Sequence, residues 1–346
     1  MKIISDIKPK RGSLVDCRIQ SFCDMVGYYK KSFILPYYCF GIGEGLAFCY
    51  WQERRTKIPL IVMIGRKIDV ERIFTRKIGL KLSVFYPNKY NAADNNQDLI
   101  NLIDNDIPVI ADVDRFYLDY INELYGKKHF GLHSVLVVGY RIKDEVEFAL
   151  YDFVSENLIW YPSNKLYLAR ISNWQPFAPK GRIYTMSISN EVTRLYDEKL
   201  IRDAIVSNCK SLLTPNATSG VLAMKLLGEE IKKLRTYANI QKNNHLINLQ
   251  LRMINLYLRE YEPTQTFYRM IYAYFLKEAS QVGNLSILEE FACEFEEIAS
   301  KWKKLSENLE IKTRLEEKLY ICGEELIKLS VLEESVLKRL QNALIN

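Results

Sequence analysis

The chain has 346 residues, of which 48% are hydrophobic and 26% charged, and these values are typical of a globular protein with two domains. The formal net charge of +6 is modest for this length, so the charge balance gives no indication of nucleic-acid binding. The sequence has no apolar core near its N-terminus, no apolar run long enough to span a bilayer, and no C-x-x-C pair among its seven cysteines. We therefore expect a cytoplasmic protein with reduced thiols, no metal site, and no membrane or nucleic-acid partner.

The first predicted element is an amphipathic helix, because apolar side chains recur at helical spacing over residues 19–26. Asp16 is a good N-cap residue, which places Cys17 in the first turn. The unpaired backbone N–H groups and the positive end of the helix dipole favour a thiolate at that position. Cys17 is therefore a candidate nucleophile, although small buried cysteines are also common at helix starts.

Residues 41–45 (GIGEG) form a glycine loop without the Lys-Ser/Thr of a phosphate-binding loop, and its pattern favours close backbone approach instead. The sequence then predicts strands and short helices, which indicates an α+β domain over residues 1–190. The strands are predicted at 59–64, 82–86, 108–113, 132–140, 146–153 and 183–188, and the helices at 70–78 and 98–104. From residue 191 apolar positions repeat every three or four residues, so we expect an α-helical domain over residues 191–346.

Positive charge is concentrated between Arg54 and Lys81, where nine Lys or Arg residues stand against two acidic residues. An ordinary solvated face explains such a stretch, and a docking surface for an acidic partner is the alternative. Arg54, Arg55 and Lys57 are the residues that would be most informative to reverse in charge.

A predicted hairpin supplies a candidate base. His133 begins one strand and Asp152 ends the next, and a hairpin centred between Ile142 and Lys143 places them opposite each other. A slip of two residues would keep both on one face as diagonal neighbours. A carboxylate in that place would hold the imidazole in the tautomer that a base requires.

Cys17, His133 and Asp152 then have the residue types of a nucleophile, a base and a group that orients the base. His129, which precedes the strand, is the alternative base.

Several short motifs occur in one order along the chain. They are Asp16-Cys17, the loop Phe40–Gly45, Pro108–Ile110 leading to Asp114 and Tyr117, His133–Tyr140, and Tyr151-Asp152. This order resembles the papain-like N-terminal domain of the butirosin biosynthesis protein H family. Residues 218–220 (TSG) and 267–279 resemble the helical domain that usually follows it.

The resemblance implies a papain-like cysteine acyltransferase followed by a mostly α-helical domain. Such an enzyme takes an acyl group from a carrier-protein thioester, holds it on cysteine, and transfers it to an amine in antibiotic (nonribosomal-type) biosynthesis. By position, Cys17 is implied as the nucleophile, His133 as the base and Asp152 as the orienting residue. The implied partners are an acyl or peptidyl carrier protein and a small amine or diamine acceptor. The implied enzyme has no cofactor of its own, since phosphopantetheine arrives on the carrier.

Substrate-binding residues and the reaction class have alternatives. Glu44, Asp114 and Tyr117 are candidates for binding the amine acceptor, and the two carboxylates are otherwise ordinary loop residues. No Gln precedes Cys17, although papain-like proteases place an oxyanion-hole Gln there, so the second oxyanion donor is unassigned. A cysteine hydrolase (peptidase, amidase or thioesterase) could use the same triad, and a non-catalytic binding protein is a third class.

Overall fold

The computed structural model describes residues 1–7, 9, 16–53, 60–87, 91–175, 177–189, 195–238, 244–259, 262–311 and 313–345. These residues form a mixed α/β structure, with a large sheet in the N-terminal half and helices in the C-terminal half. Arg54, Arg55 and Lys57 of the predicted basic surface lie outside the described residues. In the described ranges, no helix combines the length and the apolar character needed to cross a bilayer.

The predicted strands and helices all occur, and they occur in the predicted order. The strands are β1 (Lys2–Ile3), β2 (Leu46–Glu53), β3 (Leu60–Arg66), β4 (Leu80–Phe85), β5 (Val109–Val113), β6 (His133–Ile142), β7 (Val146–Tyr151), β8 (Ile159–Pro162) and β9 (Ile183–Ile188). The helices are α1 (Cys17–Lys30), α2 (Pro36–Ile42), α3 (Val70–Lys77), α4 (Ala92–Asp104), α5 (Ser163–Ile171), α6 (Glu198–Leu213), α7 (Gly220–Ala238), α8 (Asn244–Arg259), α9 (Arg269–Val282), α10 (Ile287–Glu310) and α11 (Leu315–Ile345). Of these, β1, β2, β8, α2 and α5 are additional to the predicted elements.

The chain divides into two compact units, of which the first comprises residues 1–36 and 78–193. Its centre is an antiparallel sheet with the strand order β4-β9-β5-β6-β7-β8, and β1 pairs with β6. All five residues of β5 and the first seven of β6 are buried. Such continuous apolar strands form where other elements cover the sheet, and here both α1 and α4 contact β6.

Helix α1 begins where the sequence predicts. The side chain of Asp16 accepts a hydrogen bond from the backbone N–H of Ile19 at 2.9 Å, which is an N-cap contact. Cys17 is the first residue of the helix, and Lys31 ends it in the left-handed conformation with φ of 50°. The cap therefore fixes Cys17 at the helix start, where backbone N–H groups lack intrahelical partners.

The hairpin formed by β6 and β7 has a different register from the predicted one. Ile142 pairs with Val146, so the turn spans residues 143–145 and the predicted centre between Ile142 and Lys143 is wrong. Lys143 donates its backbone N–H to the carbonyl of Glu145 at 3.1 Å inside this turn. The turn is therefore centred on Asp144, which moves every pair along the hairpin.

A β-bulge between Val137 and Gly139 corrects the consequence of that shift. If the register between the turn and the bulge continued along the whole hairpin, Asp152 and His133 would lie on opposite faces of the sheet. The bulge shifts the pairing by one residue, and both side chains then share one face as diagonal neighbours. A side chain on Gly139 would come within 2.5 Å of the carbonyl oxygen of Lys2, so the close approach of β1 requires glycine here.

The second unit comprises residues 37–77 and 194–346. The hairpin of β2 and β3 thus groups with the helices, unlike in the predicted division between residues 190 and 191. Buried amides explain the grouping, because Asn208 in α6 donates to the carbonyl of Leu46 at 2.7 Å. Gln250 in α8 likewise accepts from the backbone N–H of Ile61 at 2.6 Å and donates to its carbonyl at 3.3 Å.

Residues 41–45 lie in this second unit, but Gly41 and Ile42 end α2, so only residues 43–45 form the predicted loop. The predicted close packing occurs at the end of the helix. A Cβ on Gly41 would stand 2.0 Å from the ring of Phe275 in α9. The ring thus occupies the space that any other side chain would need.

Candidate active site

The first unit brings Cys17 and His133 into contact. Cys17 is the first residue of α1 and His133 the first residue of β6, and the two side chains are hydrogen-bonded. Sγ of Cys17 also lies 3.8 Å from the carbonyl oxygen of Leu132. Only 9% of Cys17 and 1% of His133 are exposed, so this contact is shielded from bulk water.

Asp152 engages the other side of the imidazole. Nε2 of His133 lies 2.7 Å from Oδ2 of Asp152, and the carboxylate is fully buried. An ionised carboxylate can only accept, so Nε2 carries a hydrogen and Nδ1 is the ring nitrogen that remains for Cys17. The arrangement matches the order of nucleophile, base and orienting group that the sequence suggested.

Two further groups hold Asp152. The hydroxyl of Tyr120 donates to Oδ2 at 2.8 Å, and the backbone N–H of Val154 donates to Oδ1 at 3.3 Å. Tyr120 itself packs edge-to-face on Tyr161, with ring centroids 5.3 Å apart. Tyr120 escaped sequence analysis because it lies in an irregular segment between β5 and β6, where no periodic pattern or motif marks it.

Charge dominates the titration of this site. Burial opposes a charged imidazole, but the charges of Asp152 and Cys17 and the hydrogen bonds to both raise the pKa of His133 to about 10. Burial also opposes a charged Asp152, yet His133, together with the donors Tyr120 and Val154, lowers the pKa of this carboxyl below its usual range. His133 is therefore an imidazolium beside a carboxylate near neutral pH.

Arg18 and Ser134, which directly follow Cys17 and His133 in the sequence, both bind the carboxylate of Asp112. Arg18 donates to both oxygens of the fully buried Asp112 at 3.1 Å, and Ser134 donates to Oδ1 at 2.6 Å. Arg182 in the preceding loop of β9 also binds Asp112. This network fastens the first turn of α1 to β5 and β6, which fixes Cys17 relative to His133.

Asp114 and Tyr117 lie near the same end of β5 but have other partners. Asp114 is fully buried and accepts from the backbone N–H groups of Phe116 and Phe130 and from the hydroxyl of Ser172. It also contacts Nδ1 of His129 at 2.7 Å. The carboxylate is thus fully engaged, and the Tyr117 ring packs on Phe116 and His129.

Glu44 belongs to the second unit, where Lys67 and Lys77 each bind it at 2.9 Å. Burial alone would raise the pKa of Glu44, but the hydrogen bonds from Lys77 and Lys67 lower it to about 2. Glu44 and Asp114 thus already have partners within the protein, and their role in binding the amine acceptor stays a prediction. The same contacts occupy Lys67 and Lys77 of the predicted basic surface.

The geometry leads to a prediction about thiol reactivity. We expect iodoacetamide near pH 6 to modify Cys17 before the exposed Cys293, because Cys17 contacts the imidazolium of His133 at the start of a helix. All seven cysteines are free, so peptide mapping over time can rank them. Labelling of Cys293 first at pH 6 would contradict the assignment.

Two family models match the chain in succession. A model described as "Butirosin biosynthesis protein H, N-terminal" matches residues 17–152. A model described as "Domain of unknown function (DUF4872)" matches residues 164–340. The first match begins at Cys17 and ends at Asp152, so it includes Cys17, His133 and Asp152. No curated protein matches the chain at a significant level.

Among the described residues, no group of three or more His, Cys, Asp or Glu side chains is arranged to hold a metal ion.

Proposed function

Because this chain belongs to the butirosin biosynthesis protein H family, we propose that it is a papain-like cysteine acyltransferase that forms amides during antibiotic biosynthesis. Family membership indicates a biosynthetic role, and the contacts of the first unit suggest the chemistry. The observation that carries the proposal is the buried contact of His133 with both Cys17 and Asp152. The donor is a carrier-protein thioester on phosphopantetheine, and the acceptor is a small amine or diamine.

In the first half-reaction the Cys17 thiolate attacks the carbonyl carbon of the thioester. The new C–S bond replaces the bond to phosphopantetheine, whose sulfur leaves and takes the proton from Nδ1 of His133. Donor and product are both thioesters, so this exchange needs little driving force. The backbone N–H of Cys17, at the helix start, supplies one donor for the oxyanion.

In the second half-reaction the amine nitrogen attacks the acyl-Cys17 carbonyl. The C–N bond forms, the C–S bond breaks, and neutral His133 takes a proton from the nitrogen while Cys17 leaves as a thiolate. These steps restore the starting thiolate and imidazolium. An amide is more stable than a thioester, so the main task of the site is to exclude water until the amine arrives, and the burial of Cys17 and His133 serves this task.

Intact-protein mass spectrometry tests the proposal. Incubation with an acyl-carrier thioester, or with an acyl-N-acetylcysteamine thioester, should add one acyl mass that persists for many turnover times. Addition of an amine should remove that mass and yield the amide, because the site excludes water but admits the acceptor.

Rapid release of the free acid, which no amine diverts, would contradict the transferase and favour the alternative, a cysteine hydrolase with the same triad. A chain that takes no acyl mass from either donor would contradict acyl-enzyme chemistry at Cys17. Mapping of the acyl mass to the peptide that contains Cys17 distinguishes this site from the other six thiols.

A further inference from the structure

A second imidazole–carboxylate pair lies in the first unit, separate from His133 and Asp152. Nδ1 of His129 is 2.7 Å from Oδ2 of Asp114, and Ser172 donates to the same oxygen at 2.7 Å. Oδ1 accepts from the backbone N–H groups of Phe116 at 3.1 Å and Phe130 at 2.8 Å. Burial opposes the charge of Asp114, but these hydrogen bonds lower its pKa, so it remains a carboxylate.

A fixed carboxylate acceptor determines the tautomer of its partner. Nδ1 of His129 must carry the hydrogen, and in the neutral ring Nε2 then carries the lone pair. Within the described ranges, no residue hydrogen-bonds to Nε2, and the side chain is 21% exposed. The side chain of His129 is therefore partly open to solvent, whereas His133 is buried.

Aromatic rings hold the imidazole from both sides. The Phe116 ring stacks on His129 with centroids 4.1 Å apart, and the Trp174 ring stacks on the other side at 4.2 Å. Trp174 is 59% exposed. Aromatic faces attract ammonium groups, and tryptophan does so most strongly. The stack thus combines a base with a surface that attracts a cationic amine.

This pair lies close to the nucleophile along the chain. The carbonyl oxygen of Leu132 is 3.8 Å from Sγ of Cys17, and His129 precedes Leu132 by three residues. Three residues span at most roughly 11 Å. Asp114 also directly follows Val113, which pairs with His133 in the sheet.

The proposed reaction leaves one proton without a base. An alkylamine with a pKa near that of lysine, about 10.4, is only about one part in a thousand uncharged at pH 7.4. An ammonium must lose one proton before it can attack and a second as the amide forms. His133 can accept only the second of these protons. It gave its own Nδ1 proton to the leaving phosphopantetheine sulfur, so Nδ1 has room for one proton and no more.

We propose that the His129–Asp114 pair, flanked by Phe116 and Trp174, binds the cationic acceptor and removes its first proton. The inference rests on the proposed aminolysis of acyl-Cys17. The ammonium N–H bond breaks, its proton moves to Nε2 of His129 and then to solvent, and the neutral amine attacks acyl-Cys17. No oxidant, metal or other reactant is required.

The test compares two amines of different basicity on the variant His129→Asn. The Asn amide can still donate to Asp114, but it is not a base. The wild type and the variant are loaded with an acetyl group from acetyl-N-acetylcysteamine, and discharge of acyl-Cys17 is followed with 1,3-diaminopropane or with methoxyamine, which is uncharged at neutral pH. We expect equal loading, a loss on the order of 10²-fold in discharge by the diamine, and less than about a twofold change with methoxyamine. The matched control His245→Asn, at an exposed position in α8, should resemble the wild type.

Equal slowing with both amines would overturn the inference, because it would indicate a structural role for His129. No slowing with either amine would overturn it as well. A wild type that takes no acetyl group would instead count against the proposed function, since loading involves only Cys17, His133 and Asp152.

Binding is tested without catalysis by tryptophan emission. The difference between the wild type and Trp174→Phe isolates Trp174 from the other three tryptophans. Titration with 1,3-diaminopropane should change this difference signal, and His129→Asn should weaken the response. An unchanged signal up to the concentration that saturates discharge would overturn the binding part of the inference.

Discussion

Cys17→Ala should abolish formation of the acyl-enzyme and reduce amide formation by a factor on the order of 10⁶, as expected when the nucleophile of a triad is removed. The physical reason is that the contact with His133 is specific to Cys17 among the seven cysteines that the structure describes. The measurement is intact mass after incubation with the thioester donor, together with chromatography of the amide product.

Cys23→Ala is the matched control, since Cys23 is a buried thiol in the same helix, 3% exposed. Its loss removes a comparable volume without touching the proposed chemistry, so the control should still take up one acyl mass. Circular dichroism should show both variants folded. Uptake of the acyl group by Cys17→Ala on another cysteine would contradict the assignment of the nucleophile.

Local signals in the sequence were sufficient to place Cys17 at the start of a helix. An N-cap side chain needs only the next three residues, and Asp16 bonds the N–H of Ile19 as its position implies. The helical spacing of apolar residues after Cys17 likewise relates only residues three or four positions apart. Such short-range patterns place Cys17 at the helix start without any knowledge of the rest of the fold.

The register of the hairpin could not be predicted in the same way. The bulge beside Gly139 depends on β1, whose carbonyl at Lys2 occupies the space of a side chain at residue 139. That contact joins positions far apart in the chain, and the turn gave no signal for its three-residue length. The sequence indicated that His133 and Asp152 share a face, yet it could not indicate the bulge that makes this so.

Sequence analysis also missed residues that hold the candidate site together, because their partners are far away in the sequence. Arg18 is 94 residues from Asp112, and Tyr120 is 32 residues from Asp152. Glu44 likewise binds Lys67 and Lys77, which are 23 and 33 residues away, and its loop position gave no sign of these two partners. Pairs of opposite charge at such separations have no spacing rule, and only the fold selects among the many possible pairs.

Replacement of Asp152 should separate the role of its charge from the role of its hydrogen bonds. Asp152→Asn can keep a carbonyl oxygen at the place where Oδ2 accepts from Tyr120 and His133, whereas Asp152→Ala removes every acceptor. We expect Asp152→Asn to slow acylation of Cys17 by a factor on the order of 10⁴, because the imidazole then takes the wrong tautomer, and Asp152→Ala to slow it by more. Rates of acyl-mass gain measure both variants, and equal rates in the two would show that geometry contributes nothing beyond charge.

The same charge predicts how the effect of Asp152→Asn on stability depends on pH. Burial disfavours the imidazolium, but Asp152 and Cys17 raise the pKa of His133 to about 10 from its ordinary 6.5. A raised pKa in the folded state contributes stability that is complete below pH 6.5 and is lost as the pH rises toward 10. The pKa of Asp152 itself is lowered, so its own contribution is present above its ordinary 3.8 and declines as the pH falls below it.

The free energy of unfolding, measured with denaturant, should therefore differ most between the wild type and Asp152→Asn from about pH 5 to 6.5 and converge toward pH 10. A difference that stays constant across this range would show that Asp152 does not stabilise a charged His133.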